Sequence, residues 1–154
     1  MAIEPRLVSG VHLPAHGVQT VKPVGQHSGD STPMSRRLDD LSPRMLPLAE
    51  RLLARCVEAG IMVMIVDTLR TPEEQAANVA KGVSWTRRSK HLTGDAIDIC
   101  PYETYALHGP DKLQWDGGDP VWTRLGVIGE SIGLKWGVFK HGQQIDPGHF
   151  EYRE

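Results

Sequence analysis

The longest apolar run in the chain, Ile61-Met62-Val63-Met64-Ile65-Val66, has six residues. A membrane-spanning helix needs about 20, so the fold has to be assembled from short elements packed on one another. Met62 to Val66 reads as a buried strand. Ahead of it, apolar residues recur with a helical period at Met45, Leu46, Leu48, Ala49, Leu52, Leu53, Cys56 and Val57. Ser42-Pro43 offers an N-cap and first-turn pair, Pro47 can delay the start, and Gly60 is the stop. Behind the strand, Thr71-Pro72-Glu73-Glu74 has the form of a capping box with proline at the first helical position. That helix is expected to run to Gly82. Ala96 to Cys100 reads as a second strand, stopped by Pro101. Residues 102–118 form a loop, and Asp119-Pro120 opens a third helix ending near Gly133. Leu134 to Phe139 and His149 to Tyr152 read as short strands around a Gly-rich turn.

The 154 residues suffice for one domain and a tail. Residues 1–34 are rich in Gly, Pro, Ser and His and hold no period, so they are expected to be a flexible N-terminal arm. His12, His16 and His27 lie there without a carboxylate or cysteine at ligand spacing. A net charge of -2 and a pI of about 6.4 argue against a nucleic-acid binder driven by bulk charge. The start of the chain lacks a charged head followed by an apolar core, so no secretory signal is expected and synthesis is cytoplasmic. Cys56 and Cys100 read as buried free thiols, too few for a disulfide framework or a cysteine zinc knuckle.

Two segments could carry chemistry. In Ser89-Lys90-His91-Leu92-Thr93-Gly94-Asp95-Ala96-Ile97-Asp98, His91 and Asp98 are metal-ligand types. Their odd separation puts them on opposite faces of a regular strand, unless a turn or bulge at Gly94 redirects one. The alternative is a solvent-facing histidine and a loop-capping aspartate. In Asp146-Pro147-Gly148-His149-Phe150-Glu151, Pro-Gly is expected to make a tight turn that holds Asp146 close to whatever His149 binds. His91, Asp98 and His149 would make the three ligands of a zinc hydrolase, with Asp146 as its base. The alternative for His149 is a half-buried residue at a strand start. Arg70, at a strand end, could stabilise an oxyanion or hold a substrate carboxylate. It could equally pair on the surface with Glu73 or Glu74.

Taken together, Arg70-Thr71-Pro72-Glu73-Glu74-Gln75, Gly82-Val83-Ser84, the His91–Asp98 segment, Gly133-Leu134-Lys135-Trp136-Gly137 and the Asp146–Glu151 segment resemble, in this order, the zinc D-alanyl-D-alanine carboxypeptidase family. The resemblance is closest to its phage L-alanyl-D-glutamate endopeptidases, the single-domain endolysins, and covers about residues 40–154. It implies a small single α+β domain over 35–154, with an antiparallel sheet carrying a zinc site and two or three helices packed on it. It implies one zinc ion on His91, Asp98 and His149, Asp146 and Arg70 as catalytic residues, and Ser89 and Gln75 facing the substrate. Glu151 and Asp95 are the candidates to steady the ligating histidines.

The implied activity is cleavage of the L-alanyl-D-glutamate bond of the peptidoglycan stem peptide by a phage lysin. Such an enzyme reaches the cell wall after release across the inner membrane. The alternatives are a D-alanyl-D-alanine carboxypeptidase and a non-catalytic wall-binding module. A monomer that is neither a nucleic-acid binder nor a membrane protein is expected. The sequence departs from the family after Trp136-Gly137, where Val138-Phe139-Lys140-His141-Gly142-Gln143-Gln144 replaces an expected Gly-Asp-Trp type of segment. Trp122 is expected to pack in the core. Trp85, Tyr102, Tyr105 and Trp115 either shape a cleft or pack their loops, and His108 and His141 are expected to be solvated.

Overall fold

Thr71 begins the best-defined helix. Its hydroxyl accepts the Glu74 N–H at 3.2 Å, and the Glu74 carboxylate accepts the Thr71 N–H at 2.8 Å. This reciprocal box satisfies two amides that the first helical turn leaves unpaired. The computed structural model describes residues 34–84, 86–102 and 112–154. The expected arm (Met34 apart), Trp85, Tyr105 and His108 lie outside them.

Three helices and four strands follow in the order α1 (Leu46–Glu58), β1 (Val63–Asp67), α2 (Pro72–Ala80), β2 (Ala96–Pro101), α3 (Val121–Ser131), β3 (Leu134–Lys140) and β4 (Gln143–Tyr152). The strands form one sheet in the order β1-β2-β4-β3, with every neighbouring pair antiparallel. This is the expected small α+β architecture. Met45, Leu52 and Cys56 from the α1 region, Leu125 from α3, and Ile97, Ile99, Leu134 and Phe150 from the sheet form one buried core. Trp122 is in it, 4% exposed. Gly129 lets α3 close on the sheet, because a Cβ there would collide with the Phe150 ring. Cys56 and Cys100 are both buried, as expected.

Three local expectations are corrected. Helix α1 starts at Leu46, not at Ser42-Pro43. Ser42 Oγ still accepts the Met45 N–H at 3.2 Å, but Pro47 has no N–H to donate to the turn before it. Strand β1 is an edge strand rather than a buried one. Met62 and Met64 are 47% and 44% exposed, because only one face of the strand meets the core. Pro147-Gly148 does not turn the chain. It lies inside β4, and the hairpin reverses at His141-Gly142, where φ is +51° and +77°. Two successive positive φ values are what a two-residue turn needs to match the twist of its strands.

Candidate metal centre

The sheet register does the first part of the assembly. Asp98 on β2 lies opposite His149 on β4 and opposite Asp67 on β1. Residues directly opposite in a ladder share a face, so these three side chains form one row. His91 reaches the row from a 3-10 turn, Lys90–Thr93. Ser89 Oγ accepts the His91 N–H at 3.2 Å at the start of that turn. Gly94, at φ +72°, reverses the chain at its end, and a Cβ there would come within 2.8 Å of the Ser42 amide nitrogen. The reversal at Gly94 is how an odd separation becomes a shared face.

The three polar groups converge. His91, Asp98 and His149 each offer a ligand atom within 4.8 Å of the others. His91 Nδ1 lies 2.7 Å from the Thr68 carbonyl. A carbonyl only accepts, so Nδ1 carries the proton and Nε2 presents a lone pair. That Nε2 is buried without a hydrogen-bond partner, although Asp98 Oδ1 lies 3.0 Å away. His149 Nε2 donates to Glu151 Oε2 at 2.9 Å, which turns Nδ1 towards the same Asp98 Oδ1, also at 2.9 Å. Two imidazole nitrogens and a carboxylate oxygen meet at one point. They fit a divalent cation with nitrogen and oxygen ligands, zinc among them. Each imidazole has its other nitrogen held by an acceptor, the arrangement that orients metal-bound histidines.

The charges agree with a site built for a cation. Burial opposes ionisation of Asp98, but the His149 and His91 imidazoles beside it hold its carboxyl below the usual carboxylate range. Burial also opposes the His149 imidazolium, yet bonds to Asp98 and Glu151 prevail and raise it to about 10, so a cation bound at Nδ1 would take the place of a proton there. The bond from His149, reinforced by Lys135, lowers Glu151 to about 2 against its burial. Asp146 lines the same cleft as Asp98. Burial, and then the Asp98 charge, raise it to about 6. That value suits a group that exchanges protons near neutral pH. The cleft encloses about 400 Å³, with Asp98, Asp146, Trp115, Trp122, Ile145 and Pro147 among its walls.

Other expected residues stand behind this cluster. Arg70 pairs with Asp67 through Nε and Nη2 and with Gln75 Oε1 through Nη1, and its Nη2 lies 3.9 Å from Asp98 Oδ2. It does not pair with Glu73 or Glu74. Gln75 is 1% exposed, and its amide also bonds Ser84 and the Thr86 carbonyl. Of the two candidates to steady a histidine, Glu151 does so and Asp95 does not. Asp95 binds Ser42, Arg44 and Thr93 instead. The partner of His91 is a backbone carbonyl, which no residue type announces. Asp67, buried behind Arg70, also escaped the sequence reading. Its signal was an acidic residue ending an apolar strand. Trp115 is 59% exposed on the cleft wall, Tyr102 is half-buried, and His141 is exposed on its turn.

Fold and cluster together define a small α+β protein with a three-residue candidate metal site at the middle of its sheet. The family described as phage L-alanyl-D-glutamate peptidase matches residues 30–144, and the chain belongs to that family. The match stops short of Asp146 and His149. Over 105 residues the chain is 52% identical to the L-alanyl-D-glutamate peptidase of Listeria phage A118, covering 68% of this chain and 35% of that protein. Over 77 residues it is 35% identical to the L-alanyl-D-glutamate peptidase of Escherichia phage T5, covering 46% of this chain and 52% of that protein. The chain thus spans about a third of the first relative's length and about half of the second's. Among solved structures, the Serratia marcescens L-Ala D-Glu endopeptidase ChiX superposes with a TM-score of 0.58 at 21% identity, covering 75% of this chain and 83% of that one. At that identity the likeness speaks for the fold.

Proposed function

We propose that this protein is a zinc-dependent peptidoglycan hydrolase that cleaves the amide between L-alanine and D-glutamate of the stem peptide. The observation that carries the reading is the meeting of His91 Nε2, Asp98 Oδ1 and His149 Nδ1, with Asp98 and Asp146 on the walls of one cleft. Membership of the phage peptidase family supplies the bond. The reaction is assigned to residues 35–154, with one zinc ion held by His91, Asp98 and His149. Zinc there supplies a Lewis acid that acidifies water and polarises a carbonyl.

The chain's own groups do the rest. Asp146, near pKa 6, accepts the proton of the water that attacks the alanyl carbonyl and passes it to the departing glutamate nitrogen. Arg70 is committed to Asp67 and Gln75, so it acts by steadying Asp98 and by placing positive charge behind the developing oxyanion. Ser89 holds the His91 turn, and Gln75 holds Arg70. No helix among the described residues is long and apolar enough to cross a membrane.

The test is mass spectrometry of purified peptidoglycan treated with zinc-loaded protein. Released peptides should begin with a free D-glutamate amine. Asp146→Ala should keep its zinc and lose turnover by about 10²–10⁴-fold. Stem peptides shortened by a single D-alanine would replace this reading with the carboxypeptidase one. No cleavage by the zinc-loaded protein would leave a wall-binding module.

A further inference from the structure

Asp146 enters the cleft from an irregular stretch of strand. Strands β3 and β4 pair regularly from Leu134 opposite Tyr152 to Trp136 opposite Phe150. The register then shifts between Trp136 and Val138, and again between Val138 and Phe139. Gly137 absorbs the first shift. Its φ is +74°, a left-handed conformation that favours glycine, and the place of its missing side chain is filled by the amide of Gln144. The oxygen of that amide accepts the Val138 N–H at 3.0 Å and the Asp146 N–H at 3.3 Å. Both neighbours are donors, which identifies the atom facing them as oxygen. On the other flank, the Trp136 indole N–H donates to the Pro147 carbonyl at 2.8 Å.

We propose that Gln144 is a positioning residue for Asp146. Its side-chain oxygen bridges β3 and β4 where the bulge breaks their ladder, and it fixes the backbone from which the Asp146 carboxylate reaches the cleft. Gly137 keeps the seat of that amide open. Two observations favour positioning over packing. The oxygen bonds the amide of Asp146 itself, not merely a neighbouring strand. The Gln144 nitrogen is buried without a partner, an arrangement that gap filling does not call for and that buried polar groups usually avoid. Gln144 also ends the segment in which this sequence departs from the pattern of the family it resembles. The proposal rests on Asp146 being the proton carrier of the reaction proposed above.

The experiment compares full-length, zinc-loaded variants on a soluble stem-peptide fragment at pH 8, with zinc content and thermal melts measured in parallel. Gln144→Met, which removes the acceptor, should lower kcat by about ten- to a hundredfold, the scale of a small misplacement of a catalytic group. KM should stay within about twofold, and zinc content should be unchanged. Gln144→Glu keeps an acceptor oxygen and should remain within about threefold of wild-type kcat. Gly137→Ala should displace the amide and reproduce the kcat loss by a second route.

Wild-type kcat in Gln144→Met overturns the proposal. So does a loss that follows zinc content or folded fraction, or a Gln144→Glu variant as slow as Gln144→Met. Failure of all three variants to fold would assign Gln144 a structural role instead. Asp146→Ala separates the two levels. If it retains turnover, the proton-carrier reading fails first. If it is inactive while Gln144→Met is not, only the positioning role fails.

Discussion

Asp95 and Asp98 sit three residues apart at and just beyond the start of β2, and both carboxyls are held below their ordinary range. They do opposite things. Asp95 is surrounded by donors: Arg44 Nη2 at 2.8 Å, Arg44 Nε at 3.0 Å, Ser42 Oγ at 2.5 Å and Thr93 Oγ1 at 2.7 Å. Arg44 also lies over the Tyr152 ring, 4.3 Å from its centre. This corner is complete, and it ties the segment before α1 to the end of the sheet. Asp98 faces two imidazole nitrogens whose other nitrogens are already committed. Its surroundings favour a positive charge beside it, a proton on His149 or a bound cation. The residue type is the same in both places. The neighbours decide which carboxylate closes a structure and which opens a site.

Three substitutions break or sharpen that contrast. Asp98→Asn should have the largest effect. Metal content should fall and turnover should drop by about 10³-fold or more, because water is no longer acidified, while the folded circular dichroism spectrum persists. An Asp98→Asn protein that binds zinc stoichiometrically and turns over normally would end the ligand assignment. Glu151→Gln should come next. Without the carboxylate behind His149, zinc affinity should weaken by about 10–100-fold in a chelator competition, the usual effect of losing such a partner.

Asp95→Asn should have the smallest effect on chemistry. Turnover per folded molecule and zinc content should be unchanged, while stability falls by about 1–3 kcal/mol through weakened bonds to Ser42 and Arg44. The pH dependence sharpens this. The hydrogen bond from Arg44 lowers Asp95 from its ordinary 3.8. Its stabilisation is therefore present above about pH 4 and is lost as pH falls through that value towards the folded one. Thermal melts between pH 6 and pH 2 should show wild type losing its advantage over Asp95→Asn on the acid side. Parallel curves would sink the assignment.

Much of this was legible along the chain because the physics involved is local. The Thr71 box needs only residues 71–74, and it formed as expected. The turn offered at Gly94 also formed, at a φ of +72° that glycine adopts readily. That His91, Asp98 and His149 come together was legible through their motif, since a resemblance carries long-range information that spacing does not. Readings that depended on distant neighbours failed or stayed open. Pro147-Gly148 looked like a turn, but it lies within β4, at the bulge where the pairing with β3 shifts register. Met62 to Val66 looked like a buried strand, yet β1 lies at the sheet edge. Asp95 looked like a partner for a histidine, and Arg44, 51 residues away, claims it.

By itself, then, the sequence determined the helix boundaries that have side-chain caps, the elements available to the sheet, and which side chains have the chemistry of metal ligands. These follow from bonding within one turn and from residue chemistry. Only the tertiary structure decided that Asp98 stands opposite His149 and Asp67, that the Thr68 carbonyl and Glu151 orient the two imidazoles, and that Gln144 braces the strand under Asp146. Those contacts come from strand register and chain crossing. They join residues far apart in the chain, and a one-residue change in register would move each to the other face of the sheet.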